Sequence, residues 1–254
     1  VTGLRTAGID LASQDKNTGC CVIEWSTNPR VVTFLESGCD DQTLIEQTAG
    51  SDVIGIDAPL GWPKPFVAAL RELTEQGNWP EDYLHQRDLK NYRYRTTDLW
   101  LSDTLGLRLP LSVSTDLIAV PAMRAASLRS QLAPGPLGER TRSVIEIYPA
   151  AALARWGFVS SRYKGREHRQ NRAHLIENFL SGTEAFLRLS QSQVAQCLEN
   201  DNSFDALVGA VVARMALIDE LIEPIPLQHR DIALYEGWIT VPVENSLSKL
   251  AQRL

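Results

Sequence analysis

Two apolar runs in this chain end on the same three residues, TAGIDLAS at 6–13 and VIGIDAPLGWP at 53–63. Nothing else in the sequence constrains the fold as tightly. Runs of small and aliphatic residues without polar alternation are the pattern of strands covered on both faces. A carboxylate closing such a strand needs a partner, a cation or a route to water. If the two strands are parallel neighbours they lie about 4.8 Å apart, and Asp10 and Asp57 stand side by side. Carboxylates so placed repel each other unless one is protonated or a cation lies between them. The alternative is that each Asp forms the turn that follows, a common role at strand ends. It suits Asp57, before APLGWP, better than Asp10, after which Leu11 and Ala12 continue the strand pattern.

The surrounding pattern places both acids in an α/β fold. Strands are expected over 4–10, 19–25 and 30–36, joined by the short loops QDKNT and STNP that suit an antiparallel meander. A helix at 42–48 lets the fourth strand, 52–57, return parallel to one already in the sheet. From 58 to about 142 the pieces read as helical, at 65–76, 97–105 and 121–132, a large helical insertion after the fourth strand. A strand at 143–148 follows, then a helix opening after Pro149, a favoured residue near helix starts. Further helices are expected at 172–180 and 204–222. In the last, Phe204, Leu207, Val208, Val211, Met215, Ile218 and Ile222 keep the three-and-four spacing of one buried face. EGWITVP closes the series as a strand or extended segment. With no repeat or low-complexity linker, 1–254 reads as a single domain.

Composition excludes more than it assigns. A chain of 254 residues, 44% hydrophobic and 22% charged, is ordinary globular material with a sizeable core. A net charge of -6 argues against a protein that coats nucleic acid, while leaving room for a local basic groove around an acidic centre. The four cysteines, Cys20, Cys21, Cys39 and Cys197, form no C-x-x-C, so neither a zinc site nor a disulfide framework is signalled. No apolar run reaches the roughly 18 residues of a bilayer span and no signal segment is evident, so a cytoplasmic protein without membrane association is expected. Phosphate-loop, dinucleotide and serine-nucleophile motifs are absent.

Two more acids and two basic clusters complete the candidates. Glu146 lies inside the apolar strand VIEIY, where it is costly unless paired or turned to an exposed face. Asp205, in NDNSFDALVGAVVA, either favours the helix dipole near a cap at Asn202 or Ser203 or reaches the sheet edge as a metal ligand. Gly209 and nearby small residues allow close approach of that helix to the sheet. LKNYRYRTTD supplies Lys90, Arg93 and Arg95, and SRYKGREHRQNR supplies Lys164, Arg172 and other cations. Arginine forks bind phosphate and interleaved tyrosines stack on bases, although most such runs are solvated helix faces.

The ordered set GIDLAS, IGIDAPLGWP, YRYRTTD, VIEIYPAAAL, SFDALVGAVVA and EGWITVP resembles the predicted RNase H-like nucleases catalogued as domain of unknown function 429. The resemblance spans nearly the whole chain. It implies an RNase H-like mixed five-stranded sheet flanked by helices. It also implies an acidic metal site built from Asp10 on the first strand and Asp57 on the fourth, with Glu146 and Asp205 as further acidic positions.

The leading expectation is a metal-dependent nuclease. In it Asp10, Asp57 and Asp205 hold Mg²⁺ or Mn²⁺, Glu146 assists, and Arg93, Arg95 and Lys164 orient the phosphate of a nucleic acid. Two rivals are a phosphotransferase or phosphohydrolase on a small phosphorylated ligand, for which the large insertion builds a pocket, and a non-catalytic binding module whose acids are only caps.

Overall fold

The computed structural model describes residues 4–27, 29–79, 89–133 and 144–254. It is an α/β protein whose seven strands form one mixed sheet. The strands are β1 (Arg5–Asp10), β2 (Gly19–Glu24), β3 (Arg30–Ser37), β4 (Val53–Asp57), β5 (Val144–Ile147), β6 (Leu187–Arg188) and β7 (Ile239–Thr240), in the order β6-β3-β2-β1-β4-β5-β7. β1, β2 and β3 form the expected antiparallel meander, and β4 lies parallel to β1. β5 is parallel to β4, and β7 to β5.

The resemblance implied five strands; the described residues form seven. The extra two, β6 and β7, are two residues each and extend opposite edges of the sheet. A two-residue strand shows no alternation of its own, so only pairing with β3 or β5 defines it. Position 143 of the expected fifth strand, and 80–88 and 134–142 of the expected insertion, lie outside the described residues.

Helices cover both faces. On one, the Asp41–Thr48 and Ala119–Leu132 helices bury Leu44, Ala125 and Leu128 against Ala7, Ile9, Cys20, Val22, Ile54 and Ile56. The Ala119–Leu132 helix therefore belongs to the core, although it falls within the stretch read as an insertion. Arg124 ties it to the β1–β2 connection, pairing with Asp15 and Asp41 and donating to the carbonyl of Ala12. On the other face, the Pro149–Arg155, Arg169–Thr183, Asp201–Met215 and Ser246–Arg253 helices pack against Cys21, Ile23 and Ile147.

The Asp201–Met215 helix lies closest to the sheet, and glycine makes this possible. A Cβ on Gly8 would meet the Ala206 carbonyl oxygen at 2.1 Å, and one on Gly55 the Gly209 carbonyl oxygen at 3.1 Å. Thr6 Oγ1 donates to the Ala210 carbonyl at 2.8 Å and accepts from Trp25 Nε1 at 2.8 Å, which fixes the helix on β1. The helix ends at Met215 rather than at 222. Asp219–Leu221 is a 3-10 turn and Ile222 bridges to Pro242. The apolar spacing runs on past the helix end because Leu221 is buried in the same core, with Ile218 and Ile222 packed against it.

Candidate metal centre

The repeated Gly-Ile-Asp now has a physical explanation. Alternation along β1 and β4 turns Gly8 and Gly55 toward the Asp201–Met215 helix and turns Ile9 and Ile56 into the opposite core. The next residue in each strand returns to the helix side, and the register sets Asp10 directly beside Asp57. Glycine admits the helix, isoleucine anchors the strand, and aspartate reaches the space beyond the last tight contact.

The helix supplies the third acid. Asn200 is the cap, its side chain accepting from the Asn202 amide at 2.9 Å, so Asp205 lies beyond the first turn and has no capping role. Asp10, Asp57 and Asp205 each offer a carboxylate oxygen, and these atoms all lie within 4.8 Å of one another. Asp205 is wholly buried. Its Oδ1 accepts from the Tyr163 hydroxyl at 2.8 Å, while its Oδ2 accepts no well-directed hydrogen bond and faces the Lys164 ammonium at 2.6 Å.

Crowding of charge shows in the acidities. Burial, with Asp205 and Asp57 adding to it against the pull of Lys164, raises Asp10 well above the usual carboxylate range. Burial first, and then the nearness of Asp205, pushes Asp57 up to about 7 although Lys164 opposes it. Asp205 is raised by burial despite its ion pair with Lys164 and its hydrogen bond from Tyr163. Lys164 is half exposed along its stem; burial of its ammonium is outweighed by Asp205 and Asp10, and its proton is held well above the ordinary lysine value. The triad is short of positive charge, and its donors are all oxygens. That donor set fits a hard divalent cation such as Mg²⁺ or Mn²⁺.

Glu146 is not one of the three, although it lines the same cavity as Asp10 and Asp57 and its charge helps to raise Asp57. Its register partner on β4 is Ile56, whose side chain lies in the core on the other side of the sheet, so alternation turns Glu146 away from the triad. It is not exposed either. Its carboxylate accepts twice from Arg95, at 2.7 Å each, and once from the Leu60 amide at 3.0 Å. Arg95 is 1% exposed and spends all five of its donors inside the protein, on Glu146, on Asp98 and on the Glu236 carbonyl. Arg95 lines the cavity described below, but in this arrangement its donors are spent on fixing Glu146, Asp98 and the Glu236 carbonyl. Arg93 is exposed, lies over the Tyr94 ring, and is not among the residues lining the cavity described below. Of the three expected phosphate-binding cations, only Lys164 is at the triad, and it is engaged with a carboxylate.

Asp10 and Asp57 open, with Lys164, into a cavity of about 530 Å³. Its wall carries Arg108, Arg162 and Tyr148 beside the apolar run Leu109–Leu111. Arg108 and Arg162 are exposed, and neither has an ion pair among the described residues. Sequence reasoning passed over Arg108 because it stands alone in GLRLP, outside either basic cluster.

Residues 8–228 match the family described as Protein of unknown function (DUF429). The chain belongs to that family. No curated protein and no solved structure matches it. In this DUF429 protein the matched stretch carries the whole triad and Lys164. Among the described residues no helix is long and apolar enough to cross a membrane, and the four cysteines are buried and free.

Proposed function

We propose that this DUF429 protein is a metal-dependent phosphodiesterase acting on nucleic acid, with Asp10, Asp57 and Asp205 as its metal-holding residues and an RNase H-like fold beneath them. The observation that carries the reading is the side-by-side register of Asp10 and Asp57 under a helix that adds Asp205. The inner five strands, β3-β2-β1-β4-β5, support the fold assignment, with first-strand and fourth-strand acids where the resemblance implies them.

Asp10, Asp57 and Asp205 would hold a divalent ion, which would supply Lewis acidity for activating water and offsetting negative charge on a phosphoryl group. The chain's own residues do the rest. Asp10 and Asp57 provide the anionic oxygens. Tyr163 and Lys164 fix the orientation of Asp205, and the second acidic cluster around Arg95 holds β5 against the Thr96–Asp103 helix. Arg108 and Arg162 take the phosphate-orienting role expected of Arg93 and Arg95, because they are exposed on the cavity that Asp10 and Asp57 line, whereas Arg93 lies off it and Arg95, on it, has spent its donors on Asp98, Glu146 and Glu236.

The test is cleavage of end-labelled single-stranded, duplex, hybrid and branched substrates with Mn²⁺ or Mg²⁺, comparing wild type with Asp57→Asn. Metal-dependent cleavage lost in the variant is expected; cleavage that survives in a folded Asp57→Asn preparation sinks the assignment. The size of the cavity favours a second reading, hydrolysis or transfer of phosphate on a small phosphorylated ligand, since its volume lies within the roughly 300–1,000 Å³ of small-molecule sites. Turnover of phosphorylated metabolites by a wild type that cuts no polynucleotide selects it.

A further inference from the structure

Lys164 is held in place with more care than a surface lysine needs. Arg172, 1% exposed, donates through Nη1 to the carbonyls of Tyr163 at 2.7 Å and Gly165 at 3.0 Å, gripping the chain on both sides of Lys164. Its other nitrogens donate to the Leu198 carbonyl at 3.0 and 3.1 Å, at the end of the Gln191–Glu199 helix. The Gly165 amide donates to Asp201 Oδ2 at 3.2 Å, at the start of the helix that carries Asp205. Two residues of this loop, Arg162 and Gly165, adopt positive φ of 55° and 88°. The loop carrying the ammonium and the helix carrying its carboxylate are thus fastened to each other.

We propose that Lys164 is a built-in cation of the metal centre, so that the site takes one divalent ion, on Asp10 and Asp57, with the ammonium on Asp205 serving where a two-metal site places its second ion. This rests on the metal-dependent reading above, specifies its stoichiometry, and revises its ligand set in one respect: Asp205 holds the ammonium in place of the metal. Charge supports it: three carboxylates and one ammonium leave two negative charges, which one divalent ion cancels, whereas a second ion leaves the centre two positive. Donor supply supports it as well. Asp205 already gives Oδ1 to Tyr163 and Oδ2 to Lys164, whereas Asp10 and Asp57 have no cation within ion-pair distance among the described residues. With its flanking carbonyls clamped, the ammonium stays at the triad when a cation loads, and its half-exposed stem borders the cavity through which a phosphate reaches the acids.

The experiment is isothermal titration of the metal-free full chain with MnCl₂, with circular dichroism to establish folding of each variant. Wild type is expected to bind one Mn²⁺ per chain. Lys164→Met removes the competing charge, so it gains a second ion or binds the first at least about tenfold tighter, a coupling of ordinary size between neighbouring sites. Lys164→Arg keeps the charge and stays at one ion. Two ions on wild type, or unchanged affinity and stoichiometry in Lys164→Met, overturn the built-in cation while leaving the metal site in place. A wild type that binds no Mn²⁺ removes the metal centre itself, and a Lys164→Met preparation that fails to fold leaves the wild-type stoichiometry to decide.

Discussion

Two clusters of buried carboxylates flank β4 and β5, and they are built on opposite principles. Around Arg95, every carboxylate oxygen accepts a hydrogen bond: the guanidinium forks onto Asp98 and Glu146, and Glu236 accepts from the amides of Lys64 and Thr96 at 2.8 and 2.7 Å. Around Asp10 and Asp57, three carboxylates share one ammonium, and burial first of all holds the pKa of all three above the usual carboxylate range. Glu146 is also raised by burial, but Arg95 and the Leu60 amide pull it back. The lesson is that burial of acids alone does not mark a functional site. A cluster saturated with donors holds the fold together, whereas one whose oxygens lack donors carries a cost in stability that a purely structural cluster avoids, and the proposed function gives that cost a reason.

The comparison breaks most sharply at Arg95. Arg95→Met strands Asp98 and Glu146 in the interior, and breaking a buried pair from one side costs roughly 3–5 kcal/mol. Urea unfolding at neutral pH measures it. A loss below about 1 kcal/mol, the scale of an exposed pair, makes the two clusters equivalent and removes the contrast.

The same chemical change made in each cluster sharpens it further. Glu146→Gln weakens the charge-assisted bonds from Arg95 and is expected to destabilise by about 1.5–3 kcal/mol. Asp57→Asn removes a crowded carboxylate, so in EDTA it is expected to raise the melting temperature, by roughly 2–4 °C for each kcal/mol gained in a protein of this size. Opposite signs for the two substitutions are the prediction. If both destabilise the protein equally, the triad is as well satisfied as the Arg95 cluster.

The smallest effect is on pH dependence. Asp57 is pushed from its ordinary value near 3.8 up to about 7, burial being the first cause. Between those values the folded protein binds more protons than the unfolded chain, so this contribution to stability declines as pH rises through that window. Asp10, raised in the same direction, adds to it. Melting in EDTA is thus expected to be higher at pH 5.5 than at pH 7.5, with a flatter profile in Asp57→Asn. Saturating Mn²⁺ favours the charged carboxylates and is expected to diminish or reverse the slope.

How much of this was legible in the sequence differs from residue to residue. The Gly-Ile-Asp strands, the meander and the helix beneath Gly209 were readable because periodicity of two or 3.6 is a local property. The capping box at Ser190 and Gln193 was a readable signal for the Gln191–Glu199 helix, although no helix was expected there. The two-residue edge strands had no periodicity to read. Arg95 and Lys164 were recognised as cations, but their roles were not, since a basic run looks the same whether it faces solvent, a phosphate or a buried acid.

The sequence by itself determined that two aspartates close two apolar strands and that a third acid rides a helix with small residues at its contact face. Those are consequences of side-chain direction along regular backbone, and they fix which acids share a side of the sheet. Only the tertiary structure decided how cations are distributed among them. Arg95 reaches Glu146 across 51 positions of sequence, and Lys164 reaches Asp205 across a loop clamped by Arg172. Electrostatic pairing depends on distance in space and on burial, and neither is encoded within a local window of residues.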